Sequence, residues 1–457
     1  MPLAELPCQC YHWKMTLTTW PRNPAQHAML QRILQSALQA ADPALALHRF
    51  VRLDGTRLLV DERAYELQAY RHIHLLSFGK AGDRLARALY ELLGTLLYRG
   101  LVIAKKAQPF PPGGFDVIEA GHPMPDERSL RAGRTVMDFL QDVGPNDLLI
   151  CALSGGASSL VSLPRSPIDL KMLQGLTARL LACGANIREI NTLRRHLDVL
   201  KGGGLLRHTQ AAVIGLILSD VTGDSLEDIG SGPTAPDPST REQALSILRK
   251  YNLSAACPAE LLSSIKNGPE TLKPQDARLA NVQNLVIGSN LLAVQAALRQ
   301  AAREGLHPHG PGPALAGEAR QVAQVLCRAL RLACEDGQPV SRPFCMVAGG
   351  ETTVTLQGAG RGGRNTELAL AAVTELAGLQ DVLLVTLATD GEDGPTDAAG
   401  ALVSGESWQR AKALGLDDPQ TYLDRNDSYA FFAALGDLVK TGPTGTNVND
   451  LVLMFGF

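Results

Sequence analysis

Short apolar runs recur along the chain, and each leads through a loop rich in Gly, Ser or Asp into a segment of helical periodicity. Six such runs begin at His74, Leu148, Val213, Asn284, Phe344 and Val382. Near-continuous apolar strands that alternate with helices are typical of parallel sheets buried on both faces. Ligands of such sheets bind beyond the carboxyl ends of the strands. The pattern therefore predicts an α/β fold with its functional residues in the loops after these runs.

Length and pattern together predict two domains. A chain of 457 residues is too long for one ordinary hydrophobic core. Helical periodicity begins near Ala28, whereas residues 237–278 are rich in proline and lack the alternation of strands and helices. We expect an N-terminal domain over residues 25–260, a C-terminal domain over residues 280–457, and a disordered extension at residues 1–24.

Composition and charge exclude several classes of function. The chain is 45% hydrophobic and 19% charged, with a net charge of −3. A nucleic-acid surface would need a basic patch, and a membrane span would need roughly 18 apolar residues in a row. The eight cysteines are scattered without a CxxC pair, and the first twenty residues do not resemble a signal peptide. We expect a cytoplasmic monomer or homodimer with reduced thiols that binds neither nucleic acid nor membrane.

The densest chemical signal is the segment GGETTVTLQGAGRGGRNTELALA, residues 349–371. Glycine lets a backbone approach a ligand closely. The helix that begins after these glycines presents unpaired N–H groups to an anion, with Arg364 and Asn365 at the junction. The segment therefore predicts a site for a phosphate or a carboxylate.

Residues 358–363 also match the G-x-G-x-x-G pattern of dinucleotide sites. Such a site needs a buried parallel strand before the glycines and an acidic residue about 20 positions after them. The preceding residues alternate Thr with Val or Leu, as in a half-exposed antiparallel strand, and Asp390 lies further along the chain than expected. A plain turn is the second alternative, and an anion-binding loop that ends in Arg364 is favoured over both.

Two strand-end loops in the N-terminal half offer groups for phosphate binding. Ser154-Gly-Gly-Ala-Ser158 follows the run at Leu148, and exposed amides and hydroxyls in such a turn can hold an anion. Many strand–helix turns are rich in Gly and Ser for steric reasons alone. Lys80 lies in the turn after the run at His74, where an ammonium can hold a phosphate; a solvated lysine is the alternative.

Acidic clusters follow two other strands. Asp220 belongs to SDVTGDSLED and Asp390 belongs to ATDGED. Mg²⁺ prefers one or two carboxylates together with phosphate oxygens, so both are candidate Mg²⁺ ligands. The alternative for each residue is helix capping.

The segment NTLRRH, residues 191–196, places two arginines on a helix that ends at a run of glycines. Arg194 and Arg195 are candidates for bidentate binding of a substrate carboxylate. His196 is more often structural than a general base in such a position.

Together these blocks resemble the class II glycerate kinases, the family whose C-terminal domain is called MOFRL. The resemblance covers nearly the whole chain after about Ala25. The stretches that carry it are SFGKAG (77–82), GHPMPDE (121–127), LSGGASSLV (153–161), NTLRRHLDVLKGGGL (191–205), LSDVTGDSLEDIGSGPT (218–234), IGSN (287–290), GEAR (317–320), residues 349–371, TDGEDGPTDAAGA (389–401), ND (426–427) and TGPTGTNVNDL (441–451).

The resemblance implies ATP-dependent phosphorylation of D-glycerate to 2-phosphoglycerate. It implies a larger Rossmann-like N-terminal domain, a smaller α/β C-terminal domain, and an active site in the cleft. The family's lysine in the F-G-K-A turn falls on Lys80, and the arginine of its G-G-R-N block falls on Arg364. The residues expected to bind ATP are Ser154, Gly155, Gly156, Ser158, Gly349, Gly350, Glu351 and Asp390.

Phosphoryl transfer depends mainly on positioning and charge neutralisation. The hypothesis is that Lys80 and Arg364 stabilise the transferred group, Asp220 or Asp390 holds Mg²⁺, and Arg194 or Arg195 orients glycerate. Asp220 acting as the base is an alternative. The rival functions are an NAD(P)H-dependent hydroxypyruvate reductase and a non-catalytic sensor of nucleotides or sugar phosphates.

Overall fold

The chain folds as two units, each with its own main β-sheet. The computed structural model describes residues 16–17, 23–106, 110, 114–310 and 314–457. Residues 41–289 and 445–448 form the N-terminal unit. The described residues up to Ala40 join residues 290–444 and 449–457 in the C-terminal unit. The extension expected at residues 1–24 lies almost wholly outside the described residues.

In chain order, the described residues form 17 strands and 15 α-helices. The strands are β1 (Thr16–Leu17), β2 (Val51–Asp54), β3 (Arg57–Val60), β4 (Arg63–Glu66), β5 (Ile73–Phe78), β6 (Leu97–Ala104), β7 (Phe115–Glu119), β8 (Leu148–Ser154), β9 (Ala212–Leu218), β10 (Val282–Gly288), β11 (His307–His309), β12 (Leu315–Glu318), β13 (Phe344–Thr353), β14 (Val382–Ala388), β15 (Gly400–Ser404), β16 (Leu438–Lys440) and β17 (Asp450–Gly456). The helices are α1 (Pro24–Ala41), α2 (Pro43–Phe50), α3 (Gly82–Leu93), α4 (Glu127–Gln141), α5 (Ala157–Leu160), α6 (Leu170–Ala182), α7 (Ile187–Leu197), α8 (Arg241–Lys250), α9 (Ala259–Asn267), α10 (Asn290–Arg303), α11 (Ala319–Asp336), α12 (Arg364–Glu375), α13 (Ser407–Ala413), α14 (Pro419–Asp424) and α15 (Ser428–Leu435).

The N-terminal unit is built on a six-stranded sheet in which neighbouring strands are parallel. The strand order is β10-β9-β8-β5-β6-β7, and β5 pairs with β8 from Ile73↔Leu148 onwards. This is the order of doubly wound sheets. The chain adds β6 and β7 on one side of β5 and then adds β8, β9 and β10 on the other side, so the strand order reverses between β5 and β8. Every residue of β5 and β8 is buried, as their apolar sequences require. The parallel sheet predicted from the apolar runs is confirmed in this unit.

The C-terminal unit has a mixed sheet. Its order is β1-β16-β15-β14-β17-β13-β11, and β12 also pairs with β13. β13 is parallel to β11 and β12 but antiparallel to β17, and both neighbours of β14 are antiparallel to it. The expectation of parallel neighbours is therefore wrong for β14 and only partly right for β13. An apolar run indicates that both faces are buried, but it does not indicate the direction of the adjacent strand.

The alternating residues before the glycine-rich loop do not continue as a strand. β13 ends at Thr353, and residues 354–357 have no strand pairing. Leu356 is 79% exposed. The interpretation of this stretch as a half-exposed antiparallel strand is therefore wrong. Thr353 itself pairs in parallel with Glu318 of β12, and beyond Thr353 the alternating residues have no partner strand.

The division of the chain differs from the expected domain bounds. Helix α1 belongs to the C-terminal unit, where Arg32 Nε donates to Glu304 Oε1 at 2.7 Å and Ser36 Oγ donates to the carbonyl of Ala296 at 3.2 Å. The later boundary falls between Ser289 and Asn290, because β10 completes the parallel sheet beside β9. The proline-rich stretch 237–278 contains α8 and α9, whose apolar residues pack with those of α6 and α7.

The longest described helices, α1 and α11, have 18 residues each. Neither these nor the other helices of the described chain are long and apolar enough to cross a membrane. The buried side of α11 repeats every three or four residues, as an amphipathic helix requires. It comprises Ala319, Ala323, Cys327, Leu330 and Ala333.

An interior strand of the mixed sheet, β17, yields a test of the fold. Phe455 lies on β17 between Cys345 and Leu383 of the two neighbouring strands, and its side chain is fully buried. We expect Phe455→Ala to lower the free energy of unfolding by about 3–5 kcal/mol, because it removes buried apolar surface and leaves a cavity. Chemical denaturation followed by circular dichroism measures the change.

Leu332→Ala on α11 is the control, since Leu332 is 46% exposed and exposed substitutions usually change stability by about 0.5 kcal/mol or less. Equal losses for the two variants would contradict the burial of Phe455 in the sheet.

Candidate active site

The N-terminal unit brings two predicted site segments together where its strand order changes direction. Lys80 follows β5, and residues 154–156 lie at the end of β8, the neighbouring strand, and directly after it. The backbone N–H of Lys80 donates to the carbonyl of Gly155 at 2.8 Å. The backbone N–H of Ala81 donates to Ser154 Oγ at 2.9 Å. These bonds hold the two turns side by side at the position where ligands of doubly wound sheets bind.

Close approach of the two turns requires glycine. Gly79 has φ +136°, and a Cβ on it would overlap Ser154 Oγ. A Cβ on Gly155 would overlap the carboxylate of Asp220, which follows β9. The turn after β8 therefore passes directly over Asp220, and the glycines predicted for ligand binding also serve this packing.

Lys80 and His122 meet over Gly156. A Cβ on Gly156 would lie 2.9 Å from His122 Cδ2 and 3.1 Å from Lys80 Cγ. The pKa of His122 falls to about 4 because the ring is partly buried and because Lys80 and Lys105 are nearby cations. His122 is thus a neutral ring beside an exposed lysine at neutral pH. The sequence indicated His122 only as part of the stretch GHPMPDE.

The two predicted serine hydroxyls have partners within the protein. Ser154 is buried and its Oγ accepts the N–H of Ala81. Ser158 Oγ lies 2.8 Å from Ser231 Oγ. The hydroxyls therefore shape the loop, and any anion there would rely chiefly on the backbone and on Lys80.

The adjacent arginines of α7 have different environments. Arg195 is 4% exposed; its Nη1 donates to Asp228 Oδ1 at 2.9 Å, and its Nε lies 3.0 Å from Asp237 Oδ1. This buried ion-pair network accounts for Arg195 as a structural residue. His196 is structural as well, with Nε2 2.9 Å from Glu270 Oε1.

Arg194 lines a small cavity in the N-terminal unit. Ser158, Ser159, Asp198 and Lys201 line the same cavity. Lys201 Nζ pairs with Asp198 Oδ2 at 2.6 Å, whereas the guanidinium of Arg194 has no hydrogen-bond or ion-pair partner among the described residues. Burial lowers the pKa of Arg194. Of the two predicted carboxylate-binding arginines, only Arg194 has free donors close to the serine loop.

In the C-terminal unit, Arg364 lies among carboxylates at the start of α12. Its Nη2 donates to Asp450 Oδ1 at 3.2 Å, its Nε also donates to Asp450, and its Nη1 donates to Glu351 Oε1 at 2.6 Å. Burial alone would lower the pKa of Arg364, but Asp450, Glu351 and Asp390 outweigh it and the pKa is raised. Burial raises the pKa of Asp450 to about 6, against the effect of Arg364. The predicted cation is therefore permanently charged and already paired.

Asp390 and Glu351 contribute negative charge to the surroundings of Arg364. Asp390 is half-buried, and its Oδ1 accepts the N–H of Glu392 at 3.2 Å. Glu351 keeps 47% of its side chain exposed. A phosphate that binds Arg364 would compete with Glu351, which is the more accessible of its carboxylate partners.

The amino end of α12 is capped from within the chain. Asp393 accepts the N–H groups of Asn365 and Thr366 at 2.9 and 2.8 Å, and it also accepts the Thr366 hydroxyl at 2.7 Å. The expectation that these amides point at an anion is therefore wrong, because an internal carboxylate occupies the place of the ligand.

The glycines of the C-terminal segment are explained by packing. Added Cβ atoms at Gly358 and Gly360 would clash with Arg425 and Asp427, and one at Gly363 would clash with Asp393. Gly349 and Gly350 are equally close to Asn290 and Leu315. The glycine pattern at 358–363 thus reflects a loop pressed against its own chain, in agreement with the alternative of a plain turn. It lends no support to a dinucleotide site.

Asp450 was missed by the sequence reasoning. It lies at the start of β17 and forms the bidentate pair with Arg364. The only available signal was its position in the matching stretch TGPTGTNVNDL. Its role depends on the approach of β17 to α12, which the order of residues does not reveal.

Comparison with known families matches two parts of the chain. Residues 29–266 match a family described as a domain of unknown function, DUF4147. Residues 344–450 match the MOFRL family. The two matches lie on either side of the boundary that separates the sheets.

Several named proteins are similar in sequence to this chain over most of its length. A D-glycerate 2-kinase of Thermotoga maritima is 41% identical over 381 residues, 83% of this chain and 89% of the relative. A glycerate 2-kinase of Pyrococcus horikoshii is 37% identical, covering 92% of this chain and 95% of the relative. A protein of Agrobacterium vitis, provisionally named a hydroxypyruvate reductase, is 37% identical, covering 95% of each chain. The crystal structure of a glycerate kinase from Thermotoga maritima superposes with a TM-score of 0.84 at 36% identity, covering 96% of this chain and all of that one.

The contrast between the two arginines of α7 can be tested directly. We expect Arg195→Met to lower the free energy of unfolding by about 3–5 kcal/mol, because it leaves the largely buried carboxylates of Asp228 and Asp237 without their cationic partner. Arg194→Met should change stability far less, since no ion pair among the described residues is lost. Denaturation midpoints measure both, and similar losses for the two variants would contradict this assignment.

Proposed function

The chain belongs to the glycerate kinase family, and from that membership we propose that it transfers the γ-phosphoryl group of ATP to the 2-hydroxyl of D-glycerate. The observation that carries the proposal is the meeting of Lys80, the turn at 154–156 and Asp220 at the change of strand order. A cation, a close backbone turn and a carboxylate are the groups that phosphoryl transfer uses.

Lys80 and Arg364 are proposed to neutralise charge on the transferred group. Lys80 is exposed beside the turn of the N-terminal unit, and Arg364 belongs to the C-terminal unit. Preorganised cations of this kind stabilise the charge that develops in the transition state. Asp450 holds the guanidinium in a bidentate pair, so the direction in which Arg364 presents its remaining donor is set before any ligand binds.

Mg²⁺ is the metal that such chemistry implies, and the carboxylates present are suited to it. Asp220 and Asp390 are both half-buried at strand ends. Mg²⁺ typically takes one or two carboxylates and completes its shell with water and phosphate oxygens. Either residue would hold the ion, which would neutralise phosphate charge. Asp220, which lies against the turn at 154–156, would accept the hydroxyl proton of glycerate if Asp390 holds the metal.

Arg194 is the proposed site for the glycerate carboxylate. Its guanidinium has unused donors next to Ser158 and Ser159. A guanidinium can bind a carboxylate with two parallel hydrogen bonds. Arg195 is unsuited to this task because its donors are taken by Asp228 and Glu227.

Hydroxypyruvate reduction is the second candidate, favoured by the provisional name of the Agrobacterium vitis relative. The packing of the glycines at 358–363 removes the sequence feature that suggested a dinucleotide site. Two assays on the purified protein separate the reactions. The proposal predicts that glycerate and ATP yield 2-phosphoglycerate, identified by mass spectrometry and ³¹P NMR, and that hydroxypyruvate causes no loss of NADH or NADPH absorbance. The opposite pattern would replace the kinase with a reductase.

The proposed cations generate a prediction about turnover. Lys80→Ala and Arg364→Ala should each lower kcat by roughly 100- to 1,000-fold, because each removes charge stabilisation from the transition state. A coupled assay of ADP release measures turnover, and circular dichroism checks the fold.

Matched controls are available in each unit. Lys171 on α6 and Arg299 on α10 are exposed residues of the same type, and Lys171→Ala and Arg299→Ala should retain near-normal kcat. Folded Lys80→Ala and Arg364→Ala variants with turnover close to that of these controls would refute the assignment.

A further inference from the structure

A cluster of His72, His74 and Asp147 lies at the amino ends of β5 and β8 in the N-terminal unit. His74 is the second residue of β5, and Asp147 immediately precedes β8. Lys80 lies six residues after His74, and a strand rises about 3.3 Å per residue, so the cluster is roughly 20 Å from the proposed kinase site. The proposed phosphoryl transfer makes no use of it.

Each oxygen of Asp147 faces one imidazole nitrogen. His74 Nε2 lies 3.3 Å from Oδ2, and His72 Nδ1 lies 3.7 Å from Oδ1. These separations exceed the roughly 2.7–2.9 Å of a charge-assisted hydrogen bond. Zn²⁺ bonds of about 2.0–2.1 Å in tetrahedral geometry place neighbouring ligands about 3.3–3.4 Å apart. The three candidate ligand atoms lie within 4.8 Å of one another, a spacing that one ion can bridge.

The carboxylate is held in place by backbone groups. The N–H of His72 donates to Asp147 Oδ1 at 3.1 Å, and the N–H of Gly144 donates to Oδ2 at 2.8 Å. Each oxygen therefore has a fixed donor and retains lone pairs that face the histidines. This preorganisation lowers the conformational cost of binding an ion.

His74 supplies a second, independent observation. Its side chain is fully buried, and its Nδ1 has no hydrogen-bond partner among the described residues. Buried polar atoms without partners are rare in proteins, and each one requires a reason. The other ring nitrogen, Nε2, makes one hydrogen bond of 3.3 Å, to Asp147 Oδ2, so the hydrogen bonds of the described residues satisfy only half of this buried ring.

The positive charge near the cluster is paired with carboxylates, and one side of the cluster faces solvent. Arg99 is nearby, but Asp142 at 2.5 Å and Asp116 at 3.3 Å match its charge. His72 keeps 29% of its side chain exposed and stacks on Tyr98 at 3.9 Å, which leaves a path from solvent to the cluster.

We propose that His72, His74 and Asp147 form a binding site for a divalent ion of the zinc class, with water as the fourth ligand. Two imidazoles and one carboxylate suit Zn²⁺ and Co²⁺ better than Mg²⁺, which prefers oxygen ligands. The bound ion ties the turn at 144–147 to the start of β5. Because the folded state alone presents the three ligands together, binding raises the stability of the protein.

Cobalt provides the direct test. The full chain is treated with a chelator, desalted and titrated with Co²⁺ without nucleotide or Mg²⁺. We expect one equivalent to give the strong visible absorption of four-coordinate Co²⁺ and to be displaced by one equivalent of Zn²⁺. Zn²⁺ should also raise the melting temperature of the protein.

His72→Ala is the principal variant, because His72 is partly exposed and we expect the variant to fold. It should weaken Co²⁺ binding at least about tenfold and abolish the rise in melting temperature with Zn²⁺. His74→Gln should do the same, and His48→Ala, a change at an exposed histidine of α2, should do neither. The absence of a stoichiometric four-coordinate spectrum, or Co²⁺ binding that is undiminished in folded His72→Ala, would overturn the proposal. Neither outcome depends on kinase activity.

Discussion

The close approach of the turn after β8 to the turn after β5 is the constraint on which the N-terminal site depends. The N–H of Ala81 reaches Ser154 Oγ, and the N–H of Lys80 reaches the carbonyl of Gly155. Side chains larger than hydrogen at positions 79, 155 or 156 would separate the turns, since each added Cβ would meet Ser154, Asp220 or His122. The parallel pairing of β5 with β8 brings these turns to one edge of the sheet, and the glycines let them touch. Lys80 and Asp220 thereby lie against adjacent residues of one turn, Gly156 and Gly155.

In the C-terminal unit the main constraint is the placement of a half-buried cation, Arg364. Arg364 begins α12, where a helix disfavours positive charge. Asp450, Glu351 and Asp390 offset this cost, and Asp393 caps the helix amides. The guanidinium is consequently fixed in direction and fully charged. In the proposed reaction, a phosphate of the ligand would replace some of the carboxylates around Arg364. Binding of the ligand would then exchange one anion for another at the guanidinium.

Much of the fold was predictable from particular runs of residues. The apolar runs at His74, Leu148 and Val213 became β5, β8 and β9 of the parallel sheet. The run at Val382 became β14 with antiparallel neighbours, because burial and not strand direction determines an apolar sequence. The glycines at 358–363 suggested a ligand, but Gly358, Gly360 and Gly362 pack against residues 425–428 and Gly363 packs against Asp393. These partners are distant in sequence, so the glycine pattern by itself does not indicate them. Helix α1 likewise joined the unit formed by the distant C-terminal half.

By itself the sequence determined the strand–loop–helix order, the family, and the positions of Lys80, Asp220 and Arg364 at element ends, because these follow from local periodicity and from motifs of adjacent residues. Only the tertiary structure decided which polar groups have partners. It showed that Arg195, unlike Arg194, is held in ion pairs among the described residues, and that Asp450 pairs with Arg364. It also brought His72, His74 and Asp147 together. The physical reason is that hydrogen bonds and ion pairs act over about 3 Å in space, and groups far apart in the chain come within that distance only when the sheets and helices have packed.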